Sequence, residues 1–551
     1  MPKLASIPRW LFGSDRSWLP GFLTARWLFL RSLGFIFFSA FYSLLFQIRG
    51  LIGPNGLLPA GDYLQNVRDV LGYARFWYAP SLFWVSSGDR ALSIVCWIGL
   101  IASLALIFNF WPRASIFVCL VAFLSFVSTA QDFSGYQSDG MLLEAGFLSL
   151  FLAPPGFRPG LGEKNPPSRA SWFLLVWLCF RIYFESGIVK VMGHDPEWRN
   201  FTAMDNYYQN GPLPTWIGWY VQHLPHWFHA ASAVLTLAIE LGLAFAMFLP
   251  RRFRIGLFFI ITPWQIAIIL TANYAFLNYL VLVLGFLLLD DAFLWRFLPQ
   301  RFRVSPEAAS LPGGAVPVAP SSPDSGELAR AGRTEMPEWR RVLDQLRLSF
   351  IALMLTWDFY ATSALLIAML SQSAPMPVAP VRALYPFRIA NDYGLFAVMT
   401  RNRYEIEFQG SLDGQDWIAF PFRSKPQDTS KPPRIYAPYQ PRFDWNLWFA
   451  SLGGWRENPF VINTEERLLT NDPQVLSLFA GNPFPGSPPT QVRVVIWQYW
   501  FTDSATKRAT GQWWRRELVG LYAPSLERTP DGRLAVTGLP GVDFGLSDNG
   551  Q

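Results

Sequence analysis

The sequence predicts a helical polytopic membrane bundle of about nine spans, followed by a C-terminal, β-rich and sandwich-like soluble domain. Only 15% of the 551 residues are charged, compared with about 25% in a typical soluble globular protein. Several apolar runs approach the roughly 20 residues that a helix needs to cross the hydrocarbon core. After Val381, short segments instead alternate apolar and polar side chains, as half-buried strands do.

Nine apolar runs are expected to cross the membrane as helices. Two of them are less regular than the others, because the first has Arg31 near its start and the fourth is short. In chain order the nine runs are 27–48, 91–110, 115–130, 141–153, 171–191, 230–249, 255–270, 274–289 and 349–370.

The distribution of basic residues predicts the orientation of the bundle. Short cytoplasmic loops are enriched in Lys and Arg, and Arg113, Arg158 and the run 251–254 all fall in loops on one side. The alternate loops at 131–135 and 271–273 carry no Lys or Arg. Nine spans therefore place the N-terminus in the cytoplasm and the C-terminal domain outside it. The first apolar run is long and begins after about twenty residues, so it is expected to remain as a signal anchor.

Charge and cysteine content exclude two other classes. The net charge of +6 lies mostly in the cytoplasmic loops and forms no basic stripe, which argues against nucleic acid as a partner. The three cysteines, Cys96, Cys119 and Cys179, fall inside predicted spans. They therefore provide no disulfide framework for the exported domain.

Composition divides the chain into five parts. Residues 1–300 hold eight spans, residues 301–340 form a Pro-, Ala- and Ser-rich cytoplasmic linker, and residues 341–375 hold the last span. Residues 381–525 are expected to form the exported β-rich domain, and residues 526–551 a flexible tail.

Alternation within the exported domain predicts strands at 403–408, 416–423 and 492–501, with a helix around 472–480. The tract 410–417 between the first two strands allows two interpretations. It is either an ordinary hairpin turn at Asp413-Gly414, or the hairpin of a discoidin-like sandwich that binds sugar or lipid.

Ionisable side chains within predicted spans are candidate functional residues, because burying them in lipid costs several kcal/mol. Arg181 and Glu185 are four residues apart and share a helix face, and Lys190 lies near the exported end of the same span. In one interpretation Arg181 and Glu185 pair to pack helices and Lys190 anchors the interface. In the other, Lys190 is a base or an anion ligand in an exported-side cavity.

A second set of polar residues could line a common cavity at membrane depth. The alternative is that these side chains form interhelical hydrogen bonds that only hold the bundle together. The residues are Tyr136, Gln137, Asp139, Glu144, Glu240, Asn273 and Asn278.

Three histidines, His223, His226 and His229, are weak candidates for a metal site. Their spacing puts them on one helix face only approximately, and Pro225 interrupts the helix. The Trp-rich segment 214–229 is better explained as an interfacial helix at the exported surface, so no metal is expected.

Several long motifs resemble the lipase maturation factor family. The longest is the run 136–154, YQSDGMLLEAGFLSLFLAP. The others are GPLP at 211–214, TANYAFLN at 271–278, APYQPR at 437–442, NPFP at 482–485 and TGQWWRRE at 510–517. The resemblance covers most of the chain outside the linker and the extreme ends.

This resemblance implies a membrane factor that helps secreted proteins such as dimeric lipases to fold or mature. In animals such proteins lie in the endoplasmic reticulum membrane. This chain is more compact and is similar to a bacterial member, for which the inner membrane is expected. The implied partners are the lipid bilayer and secreted client proteins that contact residues 381–525, with no cofactor.

A more distant resemblance concerns Lys190. The stretch Ser186-Gly-Ile-Val-Lys190, followed by Asp195-Pro-Glu-Trp198, is similar to the lysine-containing stretch of the vitamin K-dependent carboxylase. In that enzyme the lysine deprotonates a reduced quinone, although Val189 stands where the enzyme has another lysine.

Two hypotheses follow. In the first, which is favoured, the chain is a non-enzymatic folding factor whose exported domain contacts clients. In the second, it is a membrane enzyme that acts on a quinone-like or other lipid-soluble substrate. Lys190 would then be the general base, with Arg181, Glu185 and Asp139 nearby.

Overall fold

The computed structural model describes residues 7–13, 21–297, 338–371 and 373–541. In the membrane part the helices are α1 Ile7–Phe12, α2 Leu23–Leu45, α3 Ile48–Ile52, α4 Ala60–Leu71, α5 Arg75–Tyr78, α6 Asp89–Ile107, α7 Pro112–Val127, α8 Gln137–Leu152, α9 Arg169–Met192, α10 Pro196–Arg199, α11 Tyr207–Asn210, α12 Trp216–Gln222, α13 His226–Leu237, α14 Arg251–Thr271, α15 Leu277–Gly285, α16 Asp291–Leu294 and α17 Glu338–Leu370. The helix α13 continues through a π turn, Ala238–Gly242, and a 3₁₀ turn, Leu243–Phe248.

Among the described residues, six helices are long and apolar enough to cross a membrane: α2, α6, α9, the continuous helix His226–Phe248, α14 and α17. A helix also lies at each of the other three predicted positions. Two of these are shorter apolar helices, Pro112–Val127 and Leu277–Leu288, and the third is α8 with 16 residues. The membrane bundle is therefore confirmed, but the count of nine spans is not.

The helices alternate in direction, and the C-terminal domain contacts one end of the bundle. Gln47, just after α2, donates a hydrogen bond to the Gln440 carbonyl at 2.9 Å. Asn273, just after α14, donates to the Arg434 carbonyl at 2.8 Å. Asp139, in the first turn of α8, pairs with Arg442.

Small residues let the bundle helices approach closely, as is usual in membranes. Gly99 of α6 is an example, because a Cβ there would lie 2.4 Å from the Phe41 ring of α2. Any larger residue at position 99 would therefore push these two helices apart.

The described residues of the C-terminal domain form one six-stranded antiparallel sheet with the order β2-β1-β3-β5-β6, in which β4 also pairs with β3. The strands are β1 Arg403–Ser411, β2 Ile418–Ala419, β3 Gln491–Phe501, β4 Trp514–Leu521, β5 Ser525–Arg528 and β6 Leu534–Gly538. The helices are α18 Ala379–Leu384, α19 Arg442–Ala450, α20 Pro459–Leu468, α21 Pro473–Leu476 and α22 Ser504–Thr510.

The β-rich character is confirmed, but the sandwich-like arrangement is wrong. Helices rather than a second sheet cover the apolar face of β1. The rings of Phe408 in β1 and Phe443 in α19 lie 6.5 Å apart, and Phe479 follows α21 and contacts both. The predicted strand 416–423 is reduced to the two residues of β2, and the predicted helix 472–480 is the single turn α21.

The tract 410–417 forms a hairpin turn between β1 and β2. The Asp413 carboxylate accepts hydrogen bonds from the Gln415 and Asp416 amides, both at 2.9 Å. Gly414 has a φ of +77°, a conformation that favours glycine. The local sequence therefore fixes this turn through its own side chain and glycine.

Two further expectations concern the C-terminal tail and the linker. The prediction of a flexible tail at 526–551 is wrong for residues 526–538, because β5 and β6 form there. Leu526 of β5 is buried and pairs with Val492 of β3. Residues 542–551 and most of the linker 301–340 lie outside the described residues.

Asp444 is a buried carboxylate in the core of the C-terminal domain. Its Oδ2 accepts a hydrogen bond from the Ser424 amide at 2.7 Å. Burial raises the pKa of Asp444 from 3.8 to about 6, and the nearby Lys425 charge lowers it only in part. The ionised carboxylate therefore destabilises the folded domain at neutral pH.

We predict that Asp444→Asn stabilises the domain at neutral pH and that this gain vanishes below about pH 4. The penalty develops as the pH rises from the unfolded-state pKa through the folded-state pKa, and two pKa units correspond to about 3 kcal/mol. Thermal unfolding of the full chain in detergent across this pH range measures the effect. The exposed Asp416→Asn variant is the control, and a stability gain that is the same at every pH would contradict the prediction.

Candidate functional site

An irregular segment enters the membrane bundle between α18 and β1. We call residues 389–401 the strap. Backbone N–H and C=O groups outside a helix need partners at membrane depth, because lipid provides none. In this protein the partners are the side chains of α8 and α9 and of the loop that follows α9, so the polar residues of the spans and the strap form one site.

Glu144 of α8 and Arg181 of α9 form a fully buried ion pair in contact with the strap. Arg181 Nη1 donates a hydrogen bond to the Asn391 carbonyl at 2.6 Å. Glu144 Oε2 accepts from the Asn391 amide at 3.1 Å and from the Tyr393 hydroxyl at 2.8 Å. Glu185, the partner expected from helix spacing, lies 3.8 Å from Arg181.

Further side chains continue this pattern along the strap. Glu185 Oε2 accepts from the Tyr393 amide at 2.8 Å. Gln137 Oε1 accepts from the Gly394 amide at 3.1 Å. Beyond α9, Asp195 accepts from the Met399 amide at 2.7 Å. Glu144, Glu185 and Gln137, which the sequence suggests as site residues, therefore accept hydrogen bonds from backbone amides of the strap.

Lys190 joins the strap to the next span. An ammonium has three N–H donors. Lys190 Nζ lies 3.1 Å from the Ser186 carbonyl, 2.8 Å from the Leu395 carbonyl of the strap and 2.9 Å from a Glu240 carboxylate oxygen. All three donors therefore have acceptors, and the side chain is 1% exposed.

Two local features bring Glu240 to Lys190. The π turn Ala238–Gly242 interrupts the helical register at Glu240. Gly187 of α9 faces it, and a Cβ at position 187 would lie 2.9 Å from Cβ of Glu240. The helices can approach this closely only because residue 187 is a glycine.

A cavity of about 490 Å³ extends from this ion pair between α9, α13, α14 and α15. It is also lined by Tyr183, Gln265 and Asn278, which form a hydrogen-bonded chain. Gln265 donates to the Tyr183 hydroxyl at 3.0 Å, and Asn278 donates to the Gln265 side-chain oxygen at 2.8 Å. Within the described part of the chain, Asn278 Oδ1 accepts no hydrogen bond.

The cavity opens sideways between two helices of membrane-spanning length. Leu235 of α13 and Ile260 of α14 line it and are 47% and 42% exposed. Leu395 and Phe396 of the strap also line it. The two charges at the inner end neutralise each other, so the arrangement suits a neutral, largely apolar molecule with a polar group that can donate to Asn278.

The remaining predicted residues do not line this cavity. Tyr136 packs its ring 5.0 Å from that of Trp445, and Asp139 binds Arg442 of the C-terminal domain. Asn273 accepts hydrogen bonds from two amides of the C-terminal domain, at 2.7 and 3.0 Å. The structure therefore brings Lys190, Glu240 and Asn278 together at one cavity. Gln137 and Glu144 instead contact the strap. Tyr136, Asp139 and Asn273 contact the C-terminal domain.

The three histidines make separate contacts. His223 lies 2.9 Å from the Thr502 carbonyl, His226 lies 3.0 Å from Asp205, and His229 packs against the Tyr208 ring. Among the described residues, no group of three or more His, Cys, Asp or Glu side chains could hold a metal ion.

Sequence reasoning missed Arg442, Asp358 and the strap itself. Arg442 belongs to the APYQPR motif, and Asp358 is buried in α17 near Glu144 and Arg181. The strap has no hydrophobic period. A usable signal was the polar, turn-forming run Asn391-Asp-Tyr-Gly394, placed shortly after a span in a chain whose spans hold charges with no evident partner.

We predict that Arg181→Gln releases the strap. The change leaves Glu144 and Glu185 buried without their cation, and breaking such a pair costs about 3–5 kcal/mol. Amide hydrogen exchange in residues 389–401 of the full chain in detergent should accelerate at least about tenfold, while exchange in β3 stays unchanged. Arg252→Gln, at the exposed start of α14, is the matched control. Unchanged exchange in the strap of the Arg181 variant would contradict this assignment.

Comparison with known proteins agrees with this two-part architecture. Residues 24–296 match the family model described as the lipase maturation factor transmembrane domain. Residues 389–524 match the model described as the lipase maturation factor C-terminal domain, which begins at the strap. No solved structure matches the chain.

Full-length relatives match along nearly the whole sequence. Lipase maturation factor 1 of Bos taurus is 32% identical, with 92% of this chain and 90% of the relative covered. Lipase maturation factor 2 of Gallus gallus is 31% identical, with 93% and 83% covered. Lipase maturation factor 1 of Homo sapiens is 30% identical, with 92% and 88% covered. The chain is therefore an integral membrane protein that belongs to the lipase maturation factor family.

Proposed function

We propose that this protein is a membrane-embedded factor that assists the folding or assembly of secreted lipases through its C-terminal domain. The names of the relatives support the client class. The observation that carries the proposal is that buried polar contacts fix the C-terminal domain to one end of the bundle. A domain held in this way presents a constant surface to a client that emerges beside the membrane.

The contacts between the two parts are numerous and buried. Arg442 binds both Asp139 carboxylate oxygens, at 2.7 and 2.8 Å, and the Phe133 carbonyl at 2.6 Å. Arg403, the first residue of β1, donates to the Gln209 carbonyl at 2.9 Å and to the Pro212 carbonyl at 3.2 Å. Because these guanidinium groups have almost no exposure, separating the parts would leave buried charges unpaired.

The client surface that we propose is the sheet edge opposite β1. Strands β4 and β6 lie on the same side of β3 and carry exposed apolar side chains. Leu518 and Val519 in β4 are 50% and 44% exposed, and Val536 in β6 is 58% exposed. Such a surface suits the apolar segments of an incompletely folded protein.

The topology that we propose puts the N-terminus in the cytoplasm and the C-terminal domain outside it, in the inner membrane of a bacterium. The end of the bundle away from the C-terminal domain carries Arg158 in the loop between α8 and α9, and Arg113, Arg251 and Arg252 in the first turns of α7 and α14. This distribution follows the preference of cytoplasmic loops for basic residues.

The enzymatic alternative has less support. Lys190 would have to be deprotonated to act as a base, yet its ammonium donates to two backbone carbonyls and faces Glu240. Losing the proton would leave these acceptors short of a donor in a buried site. We infer that Lys190 has a positioning role and that the protein is not an enzyme.

We predict that removing the protein lowers the active fraction of a co-expressed secreted lipase several-fold while total lipase changes little. The measurement is lipase activity divided by lipase mass in the exported fraction. Leu518→Lys/Val536→Lys should reproduce the loss, because two charges disrupt the apolar surface. Leu412→Lys/Ile418→Lys, on equally exposed residues of the β1–β2 hairpin, should retain function. An active fraction that is independent of the protein would refute the proposed function.

We predict that a membrane-impermeant maleimide labels Ser487→Cys in intact spheroplasts but labels Arg252→Cys only after the membrane is opened. Both positions are exposed, and the three native cysteines are buried and give no background. The reverse labelling pattern would overturn the topology without affecting the assignment of the client surface.

A further inference from the structure

A second, larger cavity shares no lining residue with the Lys190 cavity. It is a groove of about 820 Å³ between α7, α8 and α17. Its walls are almost entirely apolar, with Phe117 and Val121 from α7, Phe147 from α8, and Phe350 and Met354 from α17. Phe117 and Phe350 are 57% and 59% exposed on these helices, so the groove faces the lipid.

The groove runs along the helices, and its two ends differ in charge. At one end, next to the loop between α6 and α7, it is lined by Trp111, Arg113 and Arg347. At the other end it is lined by Phe387 and by Ile389, the first residue of the strap. Its length thus follows the axes of these helices, and its two charged residues lie together at the end away from the C-terminal domain.

The charge at that end is not neutralised by the groove. Among the residues that the structure describes, the lining includes Arg113 and Arg347 but no Asp or Glu. Arg113 donates to the Ala153 carbonyl at 2.7 Å, and its buried Nε has no hydrogen-bond partner among the described residues. Arg347 forms no ion pair within that part of the chain and lies close enough to repel the Arg113 charge. Two neighbouring guanidinium groups, one of which has an unpaired N–H donor, complement one anion.

We propose that this groove binds an anionic phospholipid. The acyl chains lie along the apolar walls, and the headgroup phosphate lies between Arg113 and Arg347. Only a ligand with both parts uses the whole groove, since a free anion would leave the apolar length open to lipid and a neutral lipid would leave the two arginines unpaired. Guanidinium groups suit phosphate because they present parallel donors, and basic pockets between helices on the cytoplasmic side typically bind such headgroups.

The test uses the full chain reconstituted in nanodiscs that contain equal amounts of phosphatidylglycerol and phosphatidylcholine. Native mass spectrometry of the released protein then counts the bound lipids. The wild-type protein should retain phosphatidylglycerol about tenfold over phosphatidylcholine, and Arg113→Gln/Arg347→Gln should bring this ratio close to one. The matched control is Arg252→Gln/Arg296→Gln, which removes two exposed arginines outside the groove and should keep the preference.

Three outcomes would overturn the proposal: no preference in the wild-type protein, a preference that the double variant keeps, or displacement of the lipid by inorganic phosphate alone. If the double variant does not fold, the single variant Arg347→Gln replaces it, because Arg347 is exposed on α17 and its substitution leaves the packing of the bundle intact. This variant should lower the ratio of phosphatidylglycerol to phosphatidylcholine at least threefold. The inference does not rest on the proposed lipase function, since lipid retention is measured without any client.

Discussion

The membrane part of this protein is organised around backbone groups that no helix or sheet satisfies. The strap packs against α8 and α9 without regular structure, and its amides and carbonyls would be costly at membrane depth without partners. Glu144, Arg181, Glu185 and Lys190 provide those partners. Charged residues inside spans usually indicate ion pathways or catalysis. Here they are hydrogen-bonding groups for a segment that follows the last span, and Arg181 also pairs with Glu144 and Lys190 with Glu240.

The same constraint determines the shape of the lipid-facing cavity. Lys190 holds Leu395 of the strap and Glu240 of the π turn at once, so the position of the strap and that of the helix 226–248 are linked. Leu395 and Phe396 also close the cavity on the side of the C-terminal domain. A molecule in the cavity would therefore contact the segment that connects the bundle to β1. Since the free energy of a buried ion pair depends on its surroundings, such a molecule would also act on the Lys190–Glu240 pair that holds the strap.

Helix positions could be predicted from the sequence because each span is a long apolar run, and runs of that length are rare outside membrane-spanning helices. Strands β1 and β3 could be predicted because their side chains alternate around a buried face. Neither apolar length nor strand alternation predicts the strap, because its sequence has no hydrophobic periodicity. Its position is fixed by residues about 200 to 250 positions away in the sequence. Strand β5 was missed for a similar reason, since Leu526 is buried only because it pairs with Val492.

Helix spacing also gave only part of the ion-pair network. Arg181 and Glu185 do share a face, as the spacing of four indicates, but their closest nitrogen and oxygen atoms are 3.8 Å apart. The carboxylate in direct contact with Arg181 is Glu144 of the neighbouring helix. Glu185 instead accepts a hydrogen bond from the strap. A single sequence identifies residues that need partners, but the choice among partners on different helices depends on packing.

The strap and Arg442 together make the C-terminal domain part of the membrane fold. A domain on a flexible tether would sample many orientations, and it would lose that orientational entropy each time it bound a client. In this protein that entropy is lost during folding, because Arg442 and Arg403 are bound by residues of the bundle before any client arrives. The strands β4 and β6 are therefore held in a fixed position relative to the bundle. In the function that we propose, recognition of a client would then depend on the bundle as much as on the C-terminal domain.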